Sequence, residues 1–438
     1  MKSSKSAVIV GGGIGGLTTA LALQQYGIAS RVYESRFAET FTKTGSSGSS
    51  EMGSEIACET VSQSDSQLDS QLDSQSDTGT NTSGAGIWVP ANAMQVFARL
   101  GLAEKVLAAG YEIDEIELLD YLSGSLMKFS LEATKKKFAY SIVAIKRRRL
   151  HEILLAALRE REEKAVVELF HGYRCQGVEL DRAEVLGERV AISFFQRENV
   201  YADFVVAADG LHSAIRQSIF PLAQPNYSGQ TSWRAVVRAE LPEPWRKSSV
   251  EIWGEGRRFG FSHLSADQVY WYATADMPAS SGSFSAAAPA VEIASLRELF
   301  ASFPAAVHNL VASTSTVIRT DLSDLPILPQ WYRGKIVLVG DAAHATTPNL
   351  GQGGAQAIED GYLLAKMIDQ YATPEEAFHY YQKIRQEKAR RIVTRSRLFG
   401  QIAHLKGVLP RQLRNVAVKY TPQAANLREF EKLFSLNF

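Results

Sequence analysis

Residues 7–34 restrict the fold more than any other stretch of this chain. Ala7-Val8-Ile9-Val10 is a short apolar run, and Gly11-Gly12-Gly13-Ile14-Gly15-Gly16 follows at once. Leu17, Ala20, Leu21 and Leu23 then keep a helical spacing up to Gly27, and Arg31-Val32-Tyr33-Glu34 reads as a second strand. Strand, glycine turn, helix, strand is how a doubly wound α/β domain begins. Gly11, Gly13 and Gly16 fit G-x-G-x-x-G, which lets the backbone turn tightly and approach a pyrophosphate at the helix N-terminus. Glu34 stands where a carboxylate accepts hydrogen bonds from a ribose. An acid there suits an unphosphorylated ribose, as in FAD or NAD.

Two later turns repeat that logic. Ile336–Val339 reads as a buried strand ending at Gly340-Asp341, and Pro348 and Gly351-Gln352-Gly353-Gly354 break the chain before another helical pattern. A glycine loop that opens a helix offers free backbone N–H groups to negative charge. Asp203–Ala208 is another apolar strand, ending in Asp209-Gly210 with Ser213 and Arg216 behind it at helical spacing. Lys146-Arg147-Arg148-Arg149-Leu150 opens a further helix. A basic run is ordinarily a solvated face, and at least two of these arginines are expected there, leaving one to reach a phosphate.

From Tyr227 the pattern changes to successive antiparallel strands at Thr231–Ala239, Val250–Trp253, Arg258–Leu264 and Val269–Ala275. Alternation puts Phe259, Phe261 and His263 on one face, and Tyr270 with Tyr272 on one face of their own strand. The dense aromatics fit either a sheet core or one wall of an apolar ligand pocket. No catalytic base can be named; Arg234, His263 and Tyr272 are the candidates, with Pro348 beside them. Phe37–Ser83 is rich in Ser, Thr, Gln and acids and holds four S-Q-x-D units between Ser62 and Asp77. It is expected to be a disordered insert in the first domain, too poor in apolar groups to offset ordering entropy. Ser280–Ala288 reads as a flexible link, Asn92–Leu102 and Leu296–Leu310 as helices, and Pro374–Phe438 as mostly helical packing elements.

Composition narrows the function classes. The chain of 438 residues holds 47 Lys and Arg against 47 Asp and Glu, without the basic excess of a nucleic-acid binder. No run approaches the roughly 20 apolar residues of a membrane span, and the polar start Met1–Ser6 does not read as a signal peptide. Cys58 and Cys175 are too few for a disulfide framework or a zinc site, so no metal is expected and the cytoplasm is the default.

Together, Gly11-x-Gly13-x-x-Gly16 with Glu34, Arg147-x-x-Leu150, Asp209-Gly210 with Arg216, and Gly340-Asp341 with Pro348-x-x-Gly351-Gln352-Gly353 resemble the single-component FAD-dependent aromatic hydroxylases. These are the class A flavoprotein monooxygenases with the para-hydroxybenzoate hydroxylase fold. Within them the chain is similar to the branch of salicylate hydroxylase, 3-hydroxybenzoate 6-hydroxylase, urate hydroxylase and zeaxanthin epoxidase. The resemblance spans nearly the whole chain apart from residues 37–83. It implies an α/β fold with a Rossmann-like FAD-binding domain, an antiparallel β-sheet substrate domain and C-terminal helices. The expected boundaries are 1–226 and 318–372 for the FAD-binding domain, 227–317 for the substrate domain and 373–438 for the helices.

The same resemblance implies the site. Gly11, Gly13, Ile14, Gly15, Gly16, Glu34, Ser35 and Arg36 would hold the ADP half of FAD. Gly86 would also belong to the cofactor site, Arg147 would approach the ribityl–pyrophosphate region, and Asp209, Gly210 and Arg216 form the acid–glycine motif tied to FAD and NAD(P)H. Gly340 and Asp341 would meet the ribityl chain, and Pro348 with Gly351, Gln352, Gly353 and Gly354 would border the isoalloxazine ring. A helix N-terminus there has independent support, because reduced flavin carries negative charge at that end. The implied reaction uses NADH or NADPH and O2 to hydroxylate or epoxidise an electron-rich aromatic or isoprenoid substrate through a flavin C4a-hydroperoxide, in a monomer or homodimer. An isoprenoid reductase, a halogenase-like flavoprotein or a non-catalytic FAD-binding module are the other readings. The halogenase motif W-x-W-x-I-P is absent.

Overall fold

The computed structural model of the chain describes residues 6–37, 85–161, 165–179, 189–279 and 289–438. The repeats, Cys58, the insert beyond Phe37 and the Ser280–Ala288 link lie outside the described residues. The first sheet has six strands, in the spatial order Tyr332–Arg333, Ile336–Leu338, Phe204–Ala207, Ser6–Val10, Ala29–Glu34 and Val167–His171. All neighbours are parallel except the Tyr332–Arg333 edge. Both faces are covered, so the strands are continuously apolar: Ala7, Val8, Ile9, Phe204, Val205, Val206, Val337 and Leu338 are fully buried.

Parallel pairing has one consequence that organises the site. Val10 sits opposite Tyr33 and Ala207, and Ala207 opposite Leu338. Four strands remote in sequence therefore end at one edge. Gly11, Glu34, Asp209 and Gly340 come next to one another at the carboxyl ends, where open α/β sheets bind ligands.

The second large sheet has seven strands, ordered Ile318–Asp324, Asn226–Arg238, Gln268–Asp276, Arg257–His263, Ser248–Trp253, Glu115–Asp120 and Gly124–Ser130. The expected domain limits are corrected here. Residues 115–130, assigned to the first domain, join this sheet through a parallel pairing of Glu115–Asp120 with Ser248–Trp253. Residues 318–324, assigned to the returning FAD-binding part, pair antiparallel with Asn226–Arg238. Chain proximity suggested the earlier grouping; backbone pairing across long separations overrides it. Smaller differences have local causes. Gly101, at φ +64°, ends the expected 92–102 helix at Arg99, with a separate helix Ala103–Ala109 after it, and Pro304 splits the expected 296–310 helix between Pro289–Leu299 and Ala305–Ala312.

The sheet faces sort the aromatics. Trp233, Phe259, Phe261 and Trp271 form a core with Phe300, Val307 and Leu310 of the two covering helices. Val236, Tyr270 and Tyr272 point the other way, toward Trp88 of the three-stranded sheet Gly86–Val89, Ile142–Lys146, Tyr111–Ile113. The sheet-core reading therefore holds for the first face.

Candidate active site

The glycine turn is closed by contacts that only glycine permits. Gly11 has φ +107°, and a Cβ at Gly16 would run into the Gly11 carbonyl. Glu34 Oε2 accepts a hydrogen bond from the Gly12 N–H at 2.7 Å, while Oε1 accepts from the Arg36 N–H and the Ser35 hydroxyl. His151 Nε2, from the Arg147–Arg159 helix, lies 2.8 Å from the Gly12 carbonyl and clamps the turn from above. A Cβ built on Gly13 or on Gly210 would meet nothing within 4 Å, so open space lies over both turns. Beside them, Asp209 Oδ2 accepts from the Ile215 N–H, but Oδ1 is buried without a hydrogen-bond partner among the described residues. Buried polar atoms are rarely left so.

The two glycine loops meet at one residue. Ala357, in the Gly353–Gln370 helix, is the neighbour that a Cβ on Gly15 would touch at 3.0 Å and one on Gly340 at 2.7 Å. The N-terminal ends of the Ile14–Gln25 and Gly353–Gln370 helices thus flank the same space, with Asp341 between them. Asp341 and Arg147 are both solvent-exposed, yet dense protein surrounds each, as for groups on the floor of an open cleft. Burial pushes the Asp341 carboxyl up, against the pull of His344 and Arg147. Burial likewise lowers Arg147, while Asp341 opposes it. Behind them Asp360 accepts from the Gly340 N–H at 2.8 Å, meets His344 Nε2 at 2.6 Å and pairs with Arg385 at 2.7 Å.

Arg147 leads to the second half of the cleft. Its N–H donates to the Ala85 carbonyl, placing it beside Gly86, and a Cβ on Gly86 would lie 2.5 Å from the Tyr270 ring. Arg234 stands opposite Tyr272 in the sheet register, and its charge reaches both Tyr270 and Arg147. Trp88 packs edge-on to Tyr272 at 6.0 Å, and Gly351, at φ +62°, comes within 3.2 Å of the Trp88 ring when given a Cβ. Beyond Gly86 and Arg147, Trp88, Tyr270, Tyr272 and Val236 therefore pack as one aromatic cluster, with Gly351 at the end of the Pro348–Leu350 turn against Trp88. Tyr272 donates its hydroxyl proton to Glu251, which also accepts from Trp253 Nε1 at 2.6 Å and Arg258 at 3.2 Å. Burial first, then the Glu251 charge, raises Tyr272 well above the usual phenol range.

Four expected residues are placed differently from the expectation. Arg216 is fully buried, and its donors reach the Ala223, Gly210, Ala342 and Leu211 carbonyls. It ties the Asp209 turn to the Gly340 turn and has no arm left for a ligand. The Gln352 side chain turns inward to Asn92 and Gln356, leaving only its backbone at the loop. His263 faces away from Tyr270 and Tyr272, with Nδ1 at 3.0 Å from the Ser265 carbonyl and its ring against Tyr111. Ser35 is exposed and spends its hydroxyl on Glu34. Arg148 and Arg149 pair with Glu152 at the surface, and Arg147 alone of the three enters the cleft. Trp88, His151, Glu251 and Asp360 were not singled out as site residues from sequence, because lone residues on ordinary strands and helices carry no local signal. Among the described residues no cluster of three or more His, Cys, Asp or Glu is arranged to hold a metal ion.

Comparison with known proteins agrees with this geometry. A family model described as FAD binding domain matches residues 72–396. Aurachin C monooxygenase/isomerase of Stigmatella aurantiaca is 32% identical over 405 residues, covering 92% of this chain and 90% of that protein. The 2-heptyl-3-hydroxy-4(1H)-quinolone synthase of Pseudomonas aeruginosa is 30% identical over 359 residues, covering 80% and 88%. Among solved structures, Klebsiella pneumoniae HpxO complexed with FAD and uric acid superposes with a TM-score of 0.77 at 23% identity, over 99% of this chain and 97% of that one.

Proposed function

From the premise that this chain belongs to the FAD binding domain family, and with flavin-dependent monooxygenases as its relatives, we propose that it inserts one oxygen atom of O2 into a flat, electron-rich heteroaromatic ring bearing an apolar chain. NADH or NADPH is the reductant in this reading. One observation carries it: the Asp341–Arg147 floor between two helix N-termini lies beside the Trp88–Tyr270–Tyr272 cluster, which would wall the substrate chamber. The residues fit FAD. Open space lies over Gly13 and Gly210, and Asp209 Oδ1 awaits a donor. The heptyl quinolone named for one relative gives the substrate class its size and apolar tail.

FAD, when bound, supplies the two-electron reduction and the oxygen activation. The chain supplies the rest. Glu34 would hold ribose hydroxyls, and the Gly13–Gly16 N–H groups would bind the pyrophosphate. Asp341 would accept from the ribityl hydroxyls, with Arg147 meeting the same segment. The N-terminus of the Gly353–Gln370 helix would stabilise negative charge at the flavin ring. Tyr272 keeps its proton and donates a hydrogen bond to Glu251, which leaves the phenol oxygen as acceptor for a substrate O–H or N–H. Arg234 faces a carbonyl or oxyanion of the substrate. The aromatic walls keep water from the reacting atoms. A cytoplasmic location, with its reduced nicotinamide pool, belongs to this proposal, as does a monomer or homodimer.

The test is turnover. With FAD and NADH or NADPH, the protein is expected to oxidise the nicotinamide only when an alkylquinolone is present, with matching oxygen uptake and a product one oxygen heavier. Yellow, folded protein that yields no oxygenated product from alkylquinolones, purines and simple phenols overturns the reading.

A further inference from the structure

The helix Val408–Lys419 is built inside out. Its inward positions are Arg411 and Arg414, both buried. Arg414 pairs with Asp120 at 3.3 Å and donates to the Ala403 carbonyl at 3.1 Å. Arg411 reaches the Tyr121 hydroxyl at 3.2 Å and Glu255 at 3.4 Å. Leu409, Leu413, Val416 and Tyr420 follow at i, i+4, i+7 and i+11 on the outer side, and their exposures are 66%, 63%, 55% and 75%. Val408, at 67%, extends the stripe at its start. Leu398 and Ile402, on the outer side of the preceding helix, are exposed at 53% and 37%. A globular core helix does the reverse, and a stripe of this kind marks an interaction surface.

The exposed charge beside it is positive. Residues 388–428 contain ten Lys and Arg and no Asp or Glu. Among the described residues, seven of the ten pair with acids from outside that stretch, and Arg390, Lys419 and Arg428 are the exposed remainder. The nearby acids from other elements are engaged: Glu255 with Arg411, and Asp276 with His404 and Lys406. Lys406 keeps a side chain that is 63% exposed at one end of the stripe, and exposed Lys419 stands at the other. Apolar side chains outward with cations at the rim are the marks of a helix lying in a membrane interface. Among the described residues no helix is long and apolar enough to cross a bilayer, so the chain would lie on the membrane and not span it. A second copy of the chain is a poorer occupant. Five side chains on one helix offer roughly 500 Å², short of the ~800 Å² per partner of a stable interface.

We propose that this helix docks the protein on an anionic lipid surface. It lies one layer outside the aromatic cluster: the Arg414 guanidinium stacks 5.0 Å over Trp253, whose Nε1 donates to Glu251, which also accepts the Tyr272 hydrogen bond. The use of such docking, to draw a chain-bearing ring from the bilayer, rests on the proposed substrate class; the surface itself does not.

Flotation of the full-length protein with vesicles tests it. Wild-type protein is expected to float with vesicles of equimolar phosphatidylcholine and phosphatidylglycerol, and much less with phosphatidylcholine alone. The double variant Leu413→Gln/Val416→Gln, with an unchanged melting temperature, is expected to bind roughly tenfold more weakly or worse. The proposal is overturned if wild-type protein stays at the bottom with both vesicles, if the variant floats equally well, or if wild type is a dimer that the variant dissolves. Binding without turnover sinks the proposed reaction alone, and turnover without binding sinks the docking alone.

Discussion

Asp341 carries the sharpest consequences at the level of single residues. It is the acid of the cleft floor, and removing it deletes an acceptor for hydroxyl donors worth about 1.5–3 kcal/mol in a charged hydrogen bond. Asp341→Ala is therefore expected to bind FAD at least roughly tenfold more weakly, read as a lower ratio of flavin to protein absorbance after purification. A mutant that purifies fully yellow contradicts that role. The same carboxyl sets a pH dependence. Burial raises it above its ordinary value of 3.8, so it keeps its proton further up the pH scale. Hydroxyl donors favour the ionised form, so binding releases that proton, and FAD affinity rises as pH rises through the shifted value. Flavin release, followed by fluorescence, is expected to increase as pH falls through that shifted value. In Asp341→Asn that dependence should flatten.

At the scale of elements, the turns do more than the helices they begin. Gly351 sits at φ +62°, where a side chain costs about 1–2 kcal/mol, and a Cβ there also presses on Trp88 at 3.2 Å. Gly351→Ala should lose about that much stability in a denaturant titration, and should raise KM for the ring substrate because Trp88 moves into the chamber. An unchanged KM would place the Gly351 turn away from the substrate. The long Pro374–Ala403 helix shows the opposite economy. Its start is secured locally by a capping box, in which Thr373 accepts from the Glu376 N–H and the Glu376 side chain accepts from the Thr373 N–H. Its middle then carries Arg385 and Lys388 into the buried acids Glu359 and Asp360.

That buried set joins the parts of the molecule. Glu359, Asp360, Arg385, Lys388 and Asn92 come from three helices and stand directly behind the Gly340 turn. Burial works against the ionised Asp360, but His344 and Arg385 overcome it and hold its carboxyl far below the usual range. Its folded value is depressed, so its stabilisation is present above the unfolded value of 3.8 and is lost as pH falls below it. Asp360→Asn should cost about 3–5 kcal/mol at neutral pH, since it leaves Arg385 and His344 short of a partner in the interior. It should also make the loss of stability on acidification shallower than in wild type. Thermal or urea unfolding at pH 7 and pH 3 reads both effects, and a variant as stable as wild type at pH 7 denies the network its role.

The chain's local grammar determined the glycine turns, the strands before them, the Glu34 acid, the apolar run into Gly340-Asp341 and the division of the three arginines into one for the cleft and two for solvent. Each is written in a few neighbouring residues, because turn chemistry and strand periodicity are short-range. Only the tertiary structure decided that Ala357 seats both glycine loops, that Arg216 clasps two turns through backbone carbonyls, that residues 115–130 belong to the second sheet, and that Tyr272 faces Trp88 while His263 lies on the other face of the sheet. Those outcomes depend on pairings between residues far apart in the chain. A strand's own residues say which side chains share a face, and the partner strands and helices decide which face meets the cofactor.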